Sequence, residues 1–159
     1  MKYSELIEGW NKSNREWKEY HVQCALVASK IYATLKTSLD ISDKQVFKLI
    51  DPDVQNIQQI KGSDYTPIDA TKLIESGWAK FGLYLILHEA QNAWPRNEFR
   101  FTSFVKTDHQ SIRFKLTKDD DEIKLSLDYD SKDEEEIINR FETAMRYNVH
   151  DSFKHWHDL

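Results

Sequence analysis

The chain has 159 residues, of which 40% are hydrophobic and 13% aromatic, and its formal net charge is −5. This composition excludes a chain that is disordered throughout, and the length predicts a single domain over residues 1–159. One cysteine excludes an intramolecular disulfide, and four glycines disfavour a glycine-rich phosphate loop. A soluble cytoplasmic protein is expected, because the N-terminus lacks the apolar stretch of a secretory signal and no segment approaches the roughly 20 apolar residues of a membrane span.

Charge is unevenly distributed along the chain. Residues 96–118 carry six basic and two acidic side chains, whereas residues 119–136 carry two basic and ten acidic ones. Acidic side chains at the start of a helix are favoured by the helix dipole, which accounts for part of the second group. The pattern predicts two surfaces of opposite charge.

The segment from Ser4 to about Leu39 has the periodicity of a long amphipathic helix. Trp10, Trp17, Cys24 and Ile31 follow one another at intervals of seven residues, which places them on one side of that helix. The pattern favours packing of this side against the rest of the domain, with Cys24 as a small core residue. The alternative is a self-association seam that includes Trp10 and Trp17.

Three short helices are predicted between residues 43 and 76. The first falls on Gln45–Ile50, a segment that is also compatible with a strand. The third has the clearest signals, with Thr66 as the capping residue, Pro67 in the first helical position and Gly77 placed to end it.

Four consecutive β-strands are predicted between Trp78 and Tyr129, where the apolar period changes from 3.6 to 2 residues. The first, about residues 79–90, is apolar on both sides, which predicts a strand covered on both faces and leaves a buried helix as the alternative. The other three fall on residues 99–106, 112–116 and 123–129.

The last predicted element is a helix from about Lys132 to Lys154, which begins at a capping box formed by Ser131 and Glu134. The elements together predict an α+β fold. Its sheet is a four-stranded antiparallel β-meander (about residues 79–129), with long N-terminal and C-terminal helices packed on one face and short helices between residues 43 and 76.

The outer face of the predicted sheet is the first candidate binding surface. Alternation along the strands places five basic side chains and one aromatic side chain there: Arg100, Phe104, Lys106, Arg113, Lys115 and Lys124. Such a surface fits an acidic protein partner, and cations beside an aromatic ring also suit the phosphates and bases of a nucleic acid. Basic side chains on a solvated sheet also discourage edge-to-edge aggregation.

A second candidate is a stripe of metal-ligand residue types near the C-terminus. Asp151, His155 and Asp158 follow one another at i, i+4 and i+7, so on a helix they share one side. Carboxylate and imidazole ligands can hold a divalent metal that activates a water molecule for hydrolysis. No other pattern in the sequence predicts a cofactor.

The sequence therefore favours a non-enzymatic protein-interaction protein, such as an inhibitor, an immunity-type protein or a small accessory subunit of a complex. Two alternatives stay open: a nucleic-acid-binding protein that uses the basic outer sheet face, and a metal-dependent hydrolase that uses the C-terminal stripe. A protein partner is expected, with nucleic acid and a second copy of the chain as further candidate partners. No membrane association is expected.

Overall fold

The structure, a computed structural model, describes residues 1–43, 45–55, 60, 64–87 and 97–157, with the backbone only for residues 97 and 147–157. Its elements are α1 (Tyr3–Ser38), β1 (Phe47–Ile50), α2 (Pro67–Ala70), β2 (Thr71–Leu73), a 3-10 turn (Glu75–Gly77), β3 (Ala79–Leu87), β4 (Asn97–Thr107), β5 (Ile112–Lys115), β6 (Ile123–Leu125) and α3 (Ser131–His157). The predicted α+β class is confirmed, with an antiparallel sheet, a long N-terminal helix and a C-terminal helix.

The sheet has the order β1-β3-β4-β5-β6, and β2 also pairs with β3. β3 is the central strand, because it pairs with β4 along its whole length while β1 and β2 share its other edge. Phe47 of β1 lies opposite Leu85, and Thr71 of β2 lies opposite Phe81. β3 to β6 form the meander predicted from the sequence.

β1 falls on the segment Gln45–Ile50, for which the sequence left both a helix and a strand open, and the strand is correct. β2 lies in the segment predicted as the third short helix, so that part of the prediction is wrong. All four residues of β1 are buried. A strand covered on both faces lacks polar–apolar alternation, and a short apolar run then does not distinguish a strand from a helix. The second predicted short helix falls largely on residues 56–59, outside the described residues.

The third predicted short helix, α2, begins as expected. Thr66 Oγ1 accepts a hydrogen bond from the N–H of Asp69 (3.2 Å), and Pro67 occupies the first position. The helix ends at Ala70, earlier than predicted, because β2 follows it directly. Gly77 has the expected left-handed conformation, with φ of 80°, but it closes the 3-10 turn instead of α2.

Most of the core lies between one face of the sheet and the two long helices. Fully or almost fully buried side chains from both helices and from the strands meet there: Ile31, Leu35, Phe81, Leu83, Val105, Phe114, Ile137 and Phe141. Cys24 is buried among them, as predicted. Tyrosine hydroxyl groups attach α1 to the strands, since Tyr32 Oη donates to the carbonyl of Phe47 (2.6 Å).

A smaller apolar cluster covers the other face of β3. It joins Tyr84 and Ile86 of that strand to Ile50, Ile60 and Val54. β3 is therefore a strand with both faces covered, as predicted, and the alternative of a buried helix is wrong for residues 79–87. Residues 88–90 of the predicted strand lie outside the described residues.

The N-terminal half of α1 extends beyond the sheet. Residues 1–19 are exposed apart from the half-buried Asn14. The 36-residue helix is roughly 54 Å long, whereas β4, with 11 residues, spans roughly 37 Å. Packing of the tryptophan stripe against the domain is therefore confirmed from Cys24 onward but wrong for Trp10 and Trp17, which are 69% and 53% exposed.

The start of α3 differs from the prediction by one residue. The carboxylate of Asp130 accepts from the N–H of Asp133 (3.1 Å), and the carboxylate of Asp133 accepts from the N–H of Asp130 (3.1 Å). This reciprocal pair is the capping box, in place of the predicted box of Ser131 and Glu134. It satisfies backbone N–H groups that have no partner within the helix.

Asp133 also joins α3 to the turn after β6. Its buried carboxylate accepts from both the N–H (3.1 Å) and the Oγ–H of Ser126, where the chain leaves the sheet four residues earlier than predicted. Burial alone raises the pKa of this carboxyl, but the hydrogen bonds from Ser126 and Asp130 together outweigh it, and the pKa is lowered. Folding therefore favours the charged form.

Replacement of Asp133 with asparagine is expected to lower the free energy of unfolding by about 1–3 kcal/mol at neutral pH, because the amide serves three donors less well than the carboxylate. Since the folded pKa is depressed, the contribution of the carboxylate is fully present above the unfolded pKa of about 3.9 and is lost as pH falls through the folded pKa. Urea unfolding of the wild type and of Asp133→Asn, from neutral pH to about pH 2, should show the difference between their free energies of unfolding becoming smaller as the pH falls. Asp128→Asn, at an exposed position, is the control and should match the wild type. A difference that does not change with pH would contradict this account of Asp133.

Candidate functional site

The basic face is the outer side of β4, β5 and β6, away from the long helices. We define it by Arg100, Phe104, Lys106, Arg113, Lys115 and Lys124, each of which is half-buried or exposed. Alternation along β4 explains its composition, because Phe101, Ser103 and Val105 are buried on the helix side and the residues between them point outward. The sequence therefore assigned these side chains to the correct side of the sheet.

Three cations of the basic face lie in one row across three strands. Lys106 of β4 is directly opposite Arg113 of β5, which is directly opposite Lys124 of β6. Directly opposed residues in antiparallel strands have Cβ atoms roughly 4.5–5.5 Å apart, and like charges at such positions destabilise the sheet. Repulsion within the row therefore opposes folding, and an anionic group bound over the row would reduce it.

Two aromatic side chains adjoin this row. Phe104 lies between Lys80 of β3 and Lys115 of β5 in the next cross-strand row. Trp78 lies close to two ammonium groups, with the Nζ atoms of Lys106 and Lys115 at 5.9 Å and 5.4 Å from the centre of its ring. At these distances cation–π attraction holds both lysines against the indole.

Carboxylates neutralise part of the positive charge on this side of the sheet. Lys80 Nζ lies 2.6 Å from Asp53 Oδ1, and Arg113 Nη1 lies 3.9 Å from Glu122 Oε2. Both partners of the second pair are nearly half exposed, at 45% and 43%, so the pair contributes little to stability. Within the part of the chain that the structure describes, Lys124 forms no ion pair.

The carboxylate of Asp108, in the turn between β4 and β5, has a pKa that is lowered in part by the cations of the row. Hydrogen bonds from the N–H groups of Gln110 (2.7 Å) and Ser111 (2.8 Å) are the main reason that its pKa is lowered. The positive charges of Arg113 and Lys124 lower the pKa further. An exposed anionic group is thus stabilised beside the row.

Arg100 lies apart from the other members of the basic face. It is opposite Tyr84 of β3, and its guanidinium donates to the carbonyl oxygen of Val54. With Pro52 and Thr102 it lines a separate groove of about 490 Å³. The structure therefore brings together five of the six predicted residues: Phe104, Lys106, Arg113, Lys115 and Lys124.

The sequence prediction misses Trp78 and Lys80, which also belong to this surface. The alternation that places Gly82 and Tyr84 on the outer side of β3 extends back to both residues. The signal was therefore present in the sequence, although the proximity of Trp78 to lysines on two other strands depends on how those strands are aligned.

An acidic groove lies on the helix side of the sheet, between the start of α3 and the turn before β6. It has a volume of about 950 Å³, and the charged residues in its lining are Asp120, Asp121, Glu136 and Arg140. Three acidic side chains of residues 119–136 thus line a groove on the side of the sheet opposite the basic face, whereas Glu122 and Lys124 of the same segment lie on the basic face.

The other predicted site residues lie away from the sheet. Trp10 and Trp17 are exposed on the projecting half of α1. Asp151 and His155 fall on the part of α3 described by its backbone alone, and Asp158 lies outside the described residues, so the metal stripe stays a prediction. Among the side chains that the structure describes, no group of three His, Cys, Asp or Glu is arranged to hold a metal ion. No described helix is long and apolar enough to cross a membrane.

The basic face, with the acidic groove on the other side of the sheet, is the feature from which a function can be inferred. No protein-family model, curated protein or solved structure matches this chain.

Proposed function

We propose that this chain is a non-enzymatic protein-interaction protein, such as an inhibitor, an immunity-type protein or a small accessory subunit, and that it binds an acidic protein surface through its basic face. The observation that carries the proposal is the row of Lys106, Arg113 and Lys124 in directly opposed positions of three strands. These charges repel one another within the sheet. A partner that places carboxylates over the row gains Coulomb attraction and reduces that repulsion.

The spacing of the row describes the partner. The three cations stand on adjacent strands roughly 4.8 Å apart, and the ammonium group of Lys106 reaches the carbonyl of Ser76 (2.8 Å). A partner that contacts all three cations therefore spreads its carboxylates across three strands. Phe104 lies beside the row and supplies aromatic contact area of the kind that is enriched in protein interfaces. The complementary surface therefore combines a short line of acidic side chains with a neighbouring apolar contact.

A nucleic acid is the second candidate ligand, because cations beside an aromatic ring also suit phosphates and bases. One observation favours a protein: the Trp78 indole already lies against the ammonium groups of Lys106 and Lys115, which compete with a base for the ring. Asp53, Glu122 and the net charge of −5 repel a phosphate backbone and a carboxylate surface alike, so they do not distinguish the two ligands.

Charge reversal across the row tests the proposal. Partners captured by the wild-type chain from an extract of its own cells would be identified, purified and titrated against the variants. K106E/R113E/K124E is expected to bind such a partner at least roughly 100-fold more weakly, because like charges then face each other across the interface. Binding of the wild-type chain is expected to weaken between about 50 mM and 300 mM salt.

The matched control is K12E/R15E/K30E, which makes the same change in net charge at exposed positions of α1. It should bind the partner like the wild type, and circular dichroism should show that both triple variants are folded. Equal binding of the partner to the wild type and to K106E/R113E/K124E would exclude the basic face as its site. Row-dependent binding of a single-stranded oligonucleotide of roughly 20 nucleotides, with no protein partner, would assign the face to nucleic acid.

A further inference from the structure

The projecting half of α1 carries an apolar stripe that no other described part of the chain covers. Tyr3, Trp10 and Trp17 follow one another at intervals of seven residues and are 77%, 69% and 53% exposed. A step of seven residues turns an α-helix by only about 20° from an exact repeat, so the three rings lie almost in line. Leu6 and Ile7 flank them, at 55% and 42% exposure.

No charged side chain of residues 1–19 lies on the stripe. At about 100° per residue, all eight charged side chains of residues 1–19 lie at least about 80° from Trp10 around the helix axis. They are Lys2, Glu5, Glu8, Lys12, Arg15, Glu16, Lys18 and Glu19. Four are basic and four acidic, whereas a helix that lies on a membrane surface has a predominantly basic polar face. The stripe is instead the continuation of the side of α1 that buries Cys24 and Ile31 in the core.

The exposed area matches what a dimer requires. An aromatic side chain buries about 150–250 Å² when it is covered, so the exposed parts of the three rings, together with Leu6 and Ile7, amount to roughly 600 Å². Two copies of the stripe would bury roughly 1,200 Å², the lower end of the range for specific, stable interfaces.

We infer that a second copy of the chain covers the stripe in an antiparallel helix pair centred on Trp10. In this alignment Tyr3 lies level with Trp17 of the other copy. Leu6 and Ile7 lie level with the smaller Asn14 and Ser13, so large side chains meet small ones. The helix dipoles also oppose each other, which is favourable.

The length of the projecting segment fits this pairing. Met1 lies level with residue 19 of the other copy, one residue before Tyr20, whose hydroxyl binds the carbonyl of Gly77. The two segments therefore pair over their full length, with the two sheets at opposite ends of the helix pair. A parallel pair would instead place the two sheets side by side at one end of the helix pair.

Sedimentation equilibrium of the full chain at micromolar concentration tests the inference. The expected mass is about 38 kDa, twice the 18.9 kDa of one chain. Trp10→Glu should reduce the mass to that of one chain, with helix content retained in circular dichroism because the residue is exposed. The matched control is Leu26→Glu, at a 57% exposed position of α1 on the side away from Trp10, and this variant should stay dimeric.

Disulfide formation tests the direction of the pair. Leu6 and Ser13 of the two copies lie within one residue of each other along the axis and on the same side of the antiparallel pair. Chains with Leu6→Cys mixed with chains with Ser13→Cys should therefore give the mixed disulfide in excess over either symmetric one, and the reverse result would overturn the antiparallel arrangement. A monomeric wild type, or a dimer that survives Trp10→Glu, would overturn the inference altogether. A monomer that sediments with anionic lipid vesicles would assign the stripe to a membrane surface instead.

Discussion

Replacement of Phe141 with alanine is expected to destabilise the chain by about 3–5 kcal/mol, a large part of the stability of an ordinary domain. Phe141 is 1% exposed, and its ring lies 6.2 Å from that of Phe47 and 5.6 Å from that of Phe101, between centroids. It therefore joins α3 to both β1 and β4. Alanine leaves a cavity where three elements meet, and none of them can close it without losing contacts elsewhere.

Urea unfolding measures this loss as a lower midpoint with an unchanged slope, and thermal unfolding as a fall of roughly 6–20 °C in Tm. Thr143→Ala, at an exposed position of the same helix, should change the free energy of unfolding by no more than about 0.5 kcal/mol. The loss in free energy of unfolding for Phe141→Leu should lie between the losses for Phe141→Ala and Thr143→Ala. A loss below about 1 kcal/mol for Phe141→Ala would show that this ring does not anchor α3.

Substitution of Gly82 with alanine is expected to destabilise the chain by about 1–3 kcal/mol through overpacking. A Cβ atom at this position would lie 2.7 Å from both Cγ1 and the carbonyl oxygen of Ile50. Ile50 is paired with Gly82 in the sheet, so relief of the clash requires β1 to move away from β3. The side chain of Ile50 can rotate, but its backbone oxygen cannot retreat without loss of strand pairing.

Gly9→Ala is the matched control for Gly82→Ala. No atom lies within 4 Å of a Cβ atom added at Gly9, which is the seventh residue of α1 and so lies inside the helix. Alanine there should stabilise the helix by about 0.5–1 kcal/mol and raise the helical ellipticity. Changes of the same sign in the free energy of unfolding for Gly82→Ala and Gly9→Ala would contradict the packing of β1 on β3.

The outer strands could be predicted because water covers one of their faces. In β5, Ile112 and Phe114 alternate with Arg113 and Lys115, so the period of 2 is visible in the sequence and the basic face follows from it. β1 could not be distinguished from a helix, because all four of its residues are buried. The cross-strand row of cations also could not be predicted, since periodicity assigns side chains to a face but does not fix the alignment of neighbouring strands.

In α1 one apolar stripe is exposed in the first half of the helix and buried in the second. Trp10 and Cys24 occupy equivalent positions of the seven-residue repeat, yet one is exposed and the other is completely buried. The sequence shows which side of a helix is apolar but not what covers that side. The outcome depends on where the sheet ends, and the sheet is formed by residues far along the chain.

The two apolar clusters are expected to unfold together, because side chains of β3 belong to both. Phe81 and Leu83 belong to the larger cluster, while Tyr84 and Ile86 of the same strand belong to the smaller one. The loss of either cluster loosens the other, so both should open in a single event, whereas the projecting half of α1 touches neither. Residues of the projecting half can therefore change, and a partner bound there can be gained or lost, with little effect on the stability of the core.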